Sequence, residues 1–78
     1  MKKDKVLAIL KELRPEYDFE KSEDFVAEGL LDSFDVVTLV SELETAFDVV
    51  IDGLDVVPEN FSSIDSILEV LKKNGAVI

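Results

Sequence analysis

The chain has 78 residues, of which 47% are apolar, with a formal net charge of −10 and neither cysteine nor histidine. This length predicts a single domain over residues 1–78, and the apolar content excludes a disordered tail. The acidic balance disfavours nucleic acid as a partner, the lack of cysteine excludes disulfides, and no apolar run is long enough to span a membrane.

The charges are unevenly distributed along the chain. Every basic residue lies at or before Lys21 or at Lys72 and Lys73, so the intervening stretch carries acids only. Such a stretch favours partners that have a basic protein surface. The basic first residues are followed by a segment that Glu12 and Arg14 interrupt, so no signal peptide is indicated. We therefore expect a cytoplasmic monomer.

The first predicted helix covers residues 4–13 and ends there because Pro15 disfavours helical geometry at the residue before it. Its apolar positions recur at helical spacing: Val6, Leu7, Leu10 and Leu13. Residues 15–31 form a long loop, which is uncommon in so small a domain and often functional. We expect the aromatic side chains of this loop to pin it to the core: Tyr17, Phe19 and Phe25.

The second predicted helix runs from Ser33 to about Phe47. Asp32 is a typical N-cap, and Asp35 completes a capping box in which Asp replaces the usual Glu. One apolar stripe continues along the whole segment: Val36, Leu39, Val40, Leu43, Ala46 and Phe47. This periodicity favours a helix over the strand that residues 36–40 alone would permit.

A connection and a last helix complete the chain. Residues 48–57 form the connection, and Pro58 begins a short helical turn that ends at Phe61. Ser62 is the predicted N-cap of the last helix, with Asp65 at the capping-box position. Its buried face is predicted to comprise Ile64, Ile67, Leu68 and Leu71, and its end is indicated by Lys72, Lys73 and Gly75. These elements predict an all-α fold, a small four-helix bundle with three longer helices, one short helix and a long first loop.

The segment that carries the most chemistry is Glu-Gly-Leu-Leu-Asp-Ser-Phe-Asp at residues 28–35. Since the chain has no histidine and no cysteine, Ser33 has no imidazole to activate it, and no thiol nucleophile exists. Paired carboxylates could do acid-base work, but the chain is short and no enclosed site is indicated, so we expect no catalytic residues and no enzyme activity. A serine at a helix start can be a simple cap. On a small acidic domain it also suggests a residue that another enzyme modifies.

A wider pattern surrounds this serine: Gly29-Leu30-Leu31-Asp32-Ser33-Phe34, then Asp35, Val37, Leu39-Val40, Leu43-Glu44, Phe47-Asp48, Ile51, Phe61 and Ser63-Ile64. This pattern, which extends from Val6 to Leu71, resembles the carrier-protein family of acyl carrier proteins, peptidyl carrier domains and D-alanyl carrier proteins. The order of helices and the long first loop agree with the fold of that family.

The resemblance implies that Ser33 carries a covalent 4′-phosphopantetheine, with Asp32 and Phe34 beside the attachment point. The thiol of this group would hold an acyl or aminoacyl group as a thioester. The implied partners are a phosphopantetheinyl transferase, an acyl- or aminoacyl-activating ligase, and synthases or transferases with basic docking surfaces. The sequence of this segment is similar to that of D-alanyl carriers of cell-wall teichoic acid modification, although Asp35 stands where those carriers often have glycine.

The resemblance also implies a docking face on the second helix. The expected contacts are the acids Asp32, Asp35 and Glu44 and the surface positions Phe34, Val37 and Ser41. Thr38 and Thr45 stand where many fatty-acid carriers have acids, and Ser41 stands where they often have a larger apolar residue. The predicted face is therefore less acidic than theirs, which favours a stand-alone carrier of a dedicated pathway.

Two interpretations lie outside the carrier class. In the first, a small protein-interaction domain uses Phe34 and Val37 as an apolar patch while Ser33 stays unmodified. The second is a calcium-binding loop within residues 48–59, which fails on spacing because the alternating oxygen ligands are absent. No metal site is therefore predicted.

Overall fold

The computed structural model describes residues 2–77, which form three α-helices and two single turns of 3-10 helix. Helix α1 spans Lys2–Leu13, α2 spans Ser33–Phe47 and α3 spans Ile64–Lys73, and the 3-10 turns are Gly53–Asp55 and Pro58–Phe61. Residues 2–77 contain no strand, and none of their helices is both long enough and apolar enough to cross a bilayer. The all-α prediction is confirmed.

The predicted fourth, short helix is a 3-10 turn, so residues 2–77 form a bundle of three α-helices rather than four. Pro58 begins this turn, as predicted. The Ser62 hydroxyl donates a hydrogen bond to the Glu59 carbonyl at 2.9 Å, and the helical backbone stops at the next residue, Ser63, which is extended.

The N-cap of α3 lies one residue later than predicted. The predicted N-cap, Ser62, has helical backbone angles at the end of the 3-10 turn, and Ser63 is the residue with an extended backbone. The Ser63 hydroxyl accepts a hydrogen bond from the Ser66 amide at 3.1 Å, so Ser66 rather than Asp65 occupies the third helical position. The prediction of Ser62 and Asp65 as a capping box is wrong by one residue.

Helix α3 ends at Lys73, and Gly75 follows it as the terminator, as predicted. The glycine has φ +97°, a left-handed conformation that side chains rarely adopt. The Gly75 amide donates to the Lys72 carbonyl at 3.1 Å and the Ala76 amide to the Leu71 carbonyl at 2.9 Å. This pair of bonds is the Schellman arrangement, which satisfies carbonyls at the helix end.

The core lies where α1 contacts both α2 and α3. Its fully buried side chains are Val6, Leu10, Leu39, Leu43, Phe61, Ile67 and Leu71. Val70 is also buried, whereas Phe47, Ile64 and Leu68, which the apolar stripes placed in the core, are only partly buried and pack against its edge.

Residues 14–32 connect α1 to α2 and are held down by aromatic packing. Phe19 and Phe25 are buried and meet edge to face, with ring centroids 5.1 Å apart. Tyr17 is 38% exposed and meets the Phe19 ring nearly at a right angle, with centroids 6.5 Å apart, so it lies at the margin of this cluster and not in the core as predicted. The Phe25 amide donates to the Ser62 carbonyl at 2.8 Å, and Leu31 is buried. The loop therefore enters α2 at a fixed position.

Candidate functional site: the start of helix α2

Ser33 is the first residue of α2, and it is exposed to solvent. Residue Asp32 before it has an extended backbone, and Leu31 before that is buried. The chain thus leaves the core at Leu31, turns at Asp32 and presents the Ser33 hydroxyl at the amino end of the longest helix. The amides of a helix's first turn favour negatively charged groups, so this end suits a phosphate.

The first turn of α2 is closed by the predicted capping box. The Asp32 carboxylate accepts a hydrogen bond from the Asp35 amide at 2.9 Å, and the Asp35 carboxylate accepts one from the Asp32 amide at 3.1 Å. These reciprocal bonds fix the backbone on both sides of Ser33. Substituting such a cap with alanine typically costs about 1 kcal/mol.

Arg14, the residue directly after the end of α1, contacts both acids of this capping box. Its Nε lies 3.0 Å and its Nη2 2.9 Å from the same Asp35 carboxylate oxygen, Oδ2. Nη2 also lies 3.7 Å from Asp32 Oδ2, and Nη1 lies 3.5 Å from Glu16. One guanidinium therefore faces both of the acids that flank Ser33.

These contacts set the charge states around the serine. Burial by itself would raise the pKa of the Asp35 carboxyl, but the hydrogen bonds from Arg14 and from the Asp32 amide outweigh it and lower that pKa. The hydrogen bond to Asp35 raises the pKa of the Arg14 guanidinium. At neutral pH the site is therefore an ion pair between Asp35 and Arg14, with the Asp32 carboxylate more exposed beside it.

The exposed face of α2 differs from the predicted docking face. Phe34 is 83% and Val37 65% exposed, and Ser41 is exposed as predicted. Asp35, however, is buried, and the half-buried Glu44 accepts a hydrogen bond from the Ile51 amide at 2.8 Å. Within the chain, the Asp35 carboxylate closes the helix start and the Glu44 carboxylate holds the connection that follows the helix, and docking through these two carboxylates stays a prediction.

Most of what α2 exposes beyond its first turn is uncharged. Its exposed positions after Asp35 are Val37, Thr38, Ser41, Glu42 and Thr45. Glu42 is the only acid among them, and it was not among the predicted contacts. Phe34 and Val37 make the part of this face beside Ser33 apolar.

A family model described as "phosphopantetheine attachment site" matches residues 4–71. Because this match covers most of the chain, the protein belongs to that family of carrier proteins. The domain of this family is the attachment site of covalently bound 4′-phosphopantetheine. Comparisons with curated proteins and with solved structures gave no match.

The residues at the start of α2 fit such a group. The Ser33 hydroxyl is exposed, and the carboxylate of Asp35 is turned inward onto Arg14 rather than toward solvent. The contacts of Arg14 were not predicted, since in the sequence this residue only interrupts the first apolar segment. The available signal was that Arg14 is the chain's one arginine and stands at the end of a predicted helix, just before Pro15.

Proposed function

We propose that this protein is a carrier that bears 4′-phosphopantetheine on Ser33 and moves acyl or aminoacyl groups between partner enzymes. The observation that carries the proposal is an exposed serine hydroxyl at the capped start of α2, in a chain whose family is defined by phosphopantetheine attachment. When bound, the group supplies a terminal thiol that holds the cargo as a thioester.

The residues around Ser33 have separate parts in this function. Asp32 and Asp35 fix the helix start, so the backbone that carries the Ser33 side chain is held in place. The amino end of α2 stabilises negative charge on a phosphate ester there. Phe34 projects into solvent beside the serine and is free to contact an enzyme that reaches for it.

The docking face in this proposal is more apolar than electrostatic. Phe34 and Val37 are exposed apolar side chains next to the attachment point, and aromatic residues are enriched among the residues that dominate binding energy. Asp32 and Glu42 contribute exposed charge at this face. We propose as partners a phosphopantetheinyl transferase, an activating ligase, and synthases or transferases, each with an apolar recess bordered by basic groups.

The low acidity of α2 bears on the cargo. A carrier for bulk fatty-acid synthesis is expected to display a row of acids on this helix, whereas here Thr38, Ser41 and Thr45 take much of the exposed face. We therefore favour a dedicated pathway, and a D-alanyl carrier for cell-wall teichoic acid is the particular candidate. Incubation of the loaded carrier with a D-alanine-activating ligase, and separately with a fatty-acyl-activating ligase, decides between the two cargo classes by intact mass.

The attachment point is tested by incubating the protein with coenzyme A and a broad-specificity phosphopantetheinyl transferase. Ser33→Ala should gain no mass, while the wild type gains one phosphopantetheine. Ser41→Ala is the matched control, because Ser41 is also an exposed serine on α2; as a residue of the predicted docking face it can change the rate of loading, but at completion it should gain one phosphopantetheine. Addition to Ser33→Ala, or no addition to the wild type under conditions that load a known carrier, would refute the assignment and favour an interaction domain with an unmodified serine.

A further inference from the structure

Arg14 is the one basic side chain that pairs with the acids flanking Ser33 among residues 2–77. Three other basic side chains in the chain's first part, Lys3, Lys11 and Lys21, form ion pairs with Asp65, Glu20 and Asp18. The Arg14 contact spans 21 positions of sequence and joins the end of α1 to the start of α2. The position of this cation is therefore a property of the tertiary fold and not of the local helix.

Loading of Ser33 adds negative charge at this place. Ser33 Oγ gives its proton to a base of the transferase and forms a bond to the phosphorus that bears the pantetheine arm. The bond from that phosphorus to the oxygen that bridges the two phosphates of coenzyme A breaks, and the departing adenosine bisphosphate keeps that oxygen with its electron pair. The new phosphodiester is an anion that stands one residue after Asp32 and two residues before Asp35.

We propose that Arg14 is a positioning residue for the loading of Ser33, a role that rests on the function proposed above. By drawing the Asp35 carboxylate inward and facing Asp32, the guanidinium holds the first turn of α2 rigid and compensates the charges that would repel the incoming phosphate. Only two of its contacts, both to Asp35 Oδ2, are closer than 3.5 Å. Nη1 also donates to Glu16 at 3.5 Å, so the role proposed for Arg14 is to hold Asp35 and to compensate charge, with no direct bond to the phosphodiester required.

A positioning role and long-range charge steering predict opposite effects on loading when the charge of Arg14 is removed. Removing a positive charge from this acidic protein makes it more negative, and steering alone would then strengthen its encounter with a basic transferase. Loss of a positioning cation should instead slow the chemical step. Arg14→Gln should therefore lower kcat by about tenfold or more while KM stays constant or falls.

Lys72→Gln is the matched control, because Lys72 is exposed in the last turn of α3 and its loss changes the net charge equally. Its kcat should equal that of the wild type. Arg14→Lys keeps the charge but not the fork of donors, so its kcat should lie between those of the wild type and Arg14→Gln. If Arg14→Gln does not fold, Arg14→Lys decides the question by the same comparison with Lys72→Gln.

A second measurement is independent of the loading rate. Each variant is loaded to completion with excess transferase, and the melting temperatures of the unloaded and loaded forms are compared. The shift caused by loading should be several degrees less favourable in Arg14→Gln than in Lys72→Gln, because the phosphodiester then stands beside Asp32 and Asp35 without a cation. Equal kcat values and equal shifts in the two variants would overturn the proposal, and a wild type that is not loaded on Ser33 would instead overturn the function on which it rests.

Discussion

Phe34 offers the sharpest separation of function from stability, because a large apolar side chain stands 83% exposed directly after Ser33. Phe34→Ala should change the free energy of unfolding by no more than about 0.5 kcal/mol, as exposed positions usually do. A phenylalanine buries roughly 150–250 Å² when fully covered, and apolar area contributes roughly 25 cal/mol per Å². Because 83% of Phe34 is exposed, its full burial against a partner is therefore worth roughly 3–5 kcal/mol.

Ordering and desolvation costs consume part of that energy, and central interface residues often cost about 2 kcal/mol when truncated. We therefore expect Phe34→Ala to lower kcat/KM for transferase loading by about 30-fold, the factor that corresponds to about 2 kcal/mol. The assay is steady-state loading with coenzyme A, followed by intact mass, beside a thermal melt of each variant.

Val50→Ala is the control for this experiment. Val50 is 82% exposed and lies beyond the opposite end of α2, about 20 Å along the helix from Ser33. It should be loaded like the wild type. Loading of Phe34→Ala at the rate of Val50→Ala, or a loss of stability in Phe34→Ala of several kcal/mol, would refute the assignment of Phe34 to the docking face.

Three further predictions concern stability. Leu39→Ala should cost about 2–5 kcal/mol, most of the stability of so small a domain, because Leu39 is fully buried; a melt like that of the wild type would contradict the core assignment. Asp48→Gly should raise the melting temperature by about 4–8 °C, since Asp48 has φ 54° and a negative charge at the carboxyl end of α2; a lower melting temperature would show that its side chain stabilises the turn. Hydrogen bonds from Lys73 and Asn74 lower the pKa of Asp55 in the folded protein. Below about pH 4 the unfolded chain therefore binds more protons than the folded one, so the stabilisation from these bonds is present above about pH 4 and is lost as the pH falls below it. Asp55→Asn should lose less stability than the wild type between about pH 6 and pH 3 in urea titrations, and parallel losses would contradict this.

The features that the sequence predicts correctly are those that depend on neighbouring residues. The span of α2 follows from its apolar period, and the capping box follows from Asp32 and Asp35, which are three positions apart and make both expected bonds. Gly75 likewise ends α3 through bonds to residues of the preceding turn. In each case the partner lies within one or two turns of the same helix, where spacing determines contact.

The features that the sequence analysis missed depend on contacts between elements. The pairing of Arg14 with Asp35 requires the relative placement of α1 and α2, which no local pattern reports. The sequence gives no partner for the Glu44 carboxylate, but in the fold the connection after α2 returns to it, and the Ile51 amide donates to that carboxylate. The shift of the α3 cap from Ser62 to Ser63 is different in origin, because it is local: Ser62 keeps helical backbone angles at the end of the preceding 3-10 turn, and its hydroxyl donates to the Glu59 carbonyl.

The most direct test of the central claim is fragmentation mass spectrometry of the loaded wild-type protein. After reaction with coenzyme A and the transferase, the fragments should place one phosphopantetheine on Ser33, and the other serines should remain unmodified: Ser22, Ser41, Ser62, Ser63 and Ser66. The group on any other residue would contradict the assignment of the carrier site to the start of α2, and so would its absence from a correctly folded protein that a proven transferase has treated.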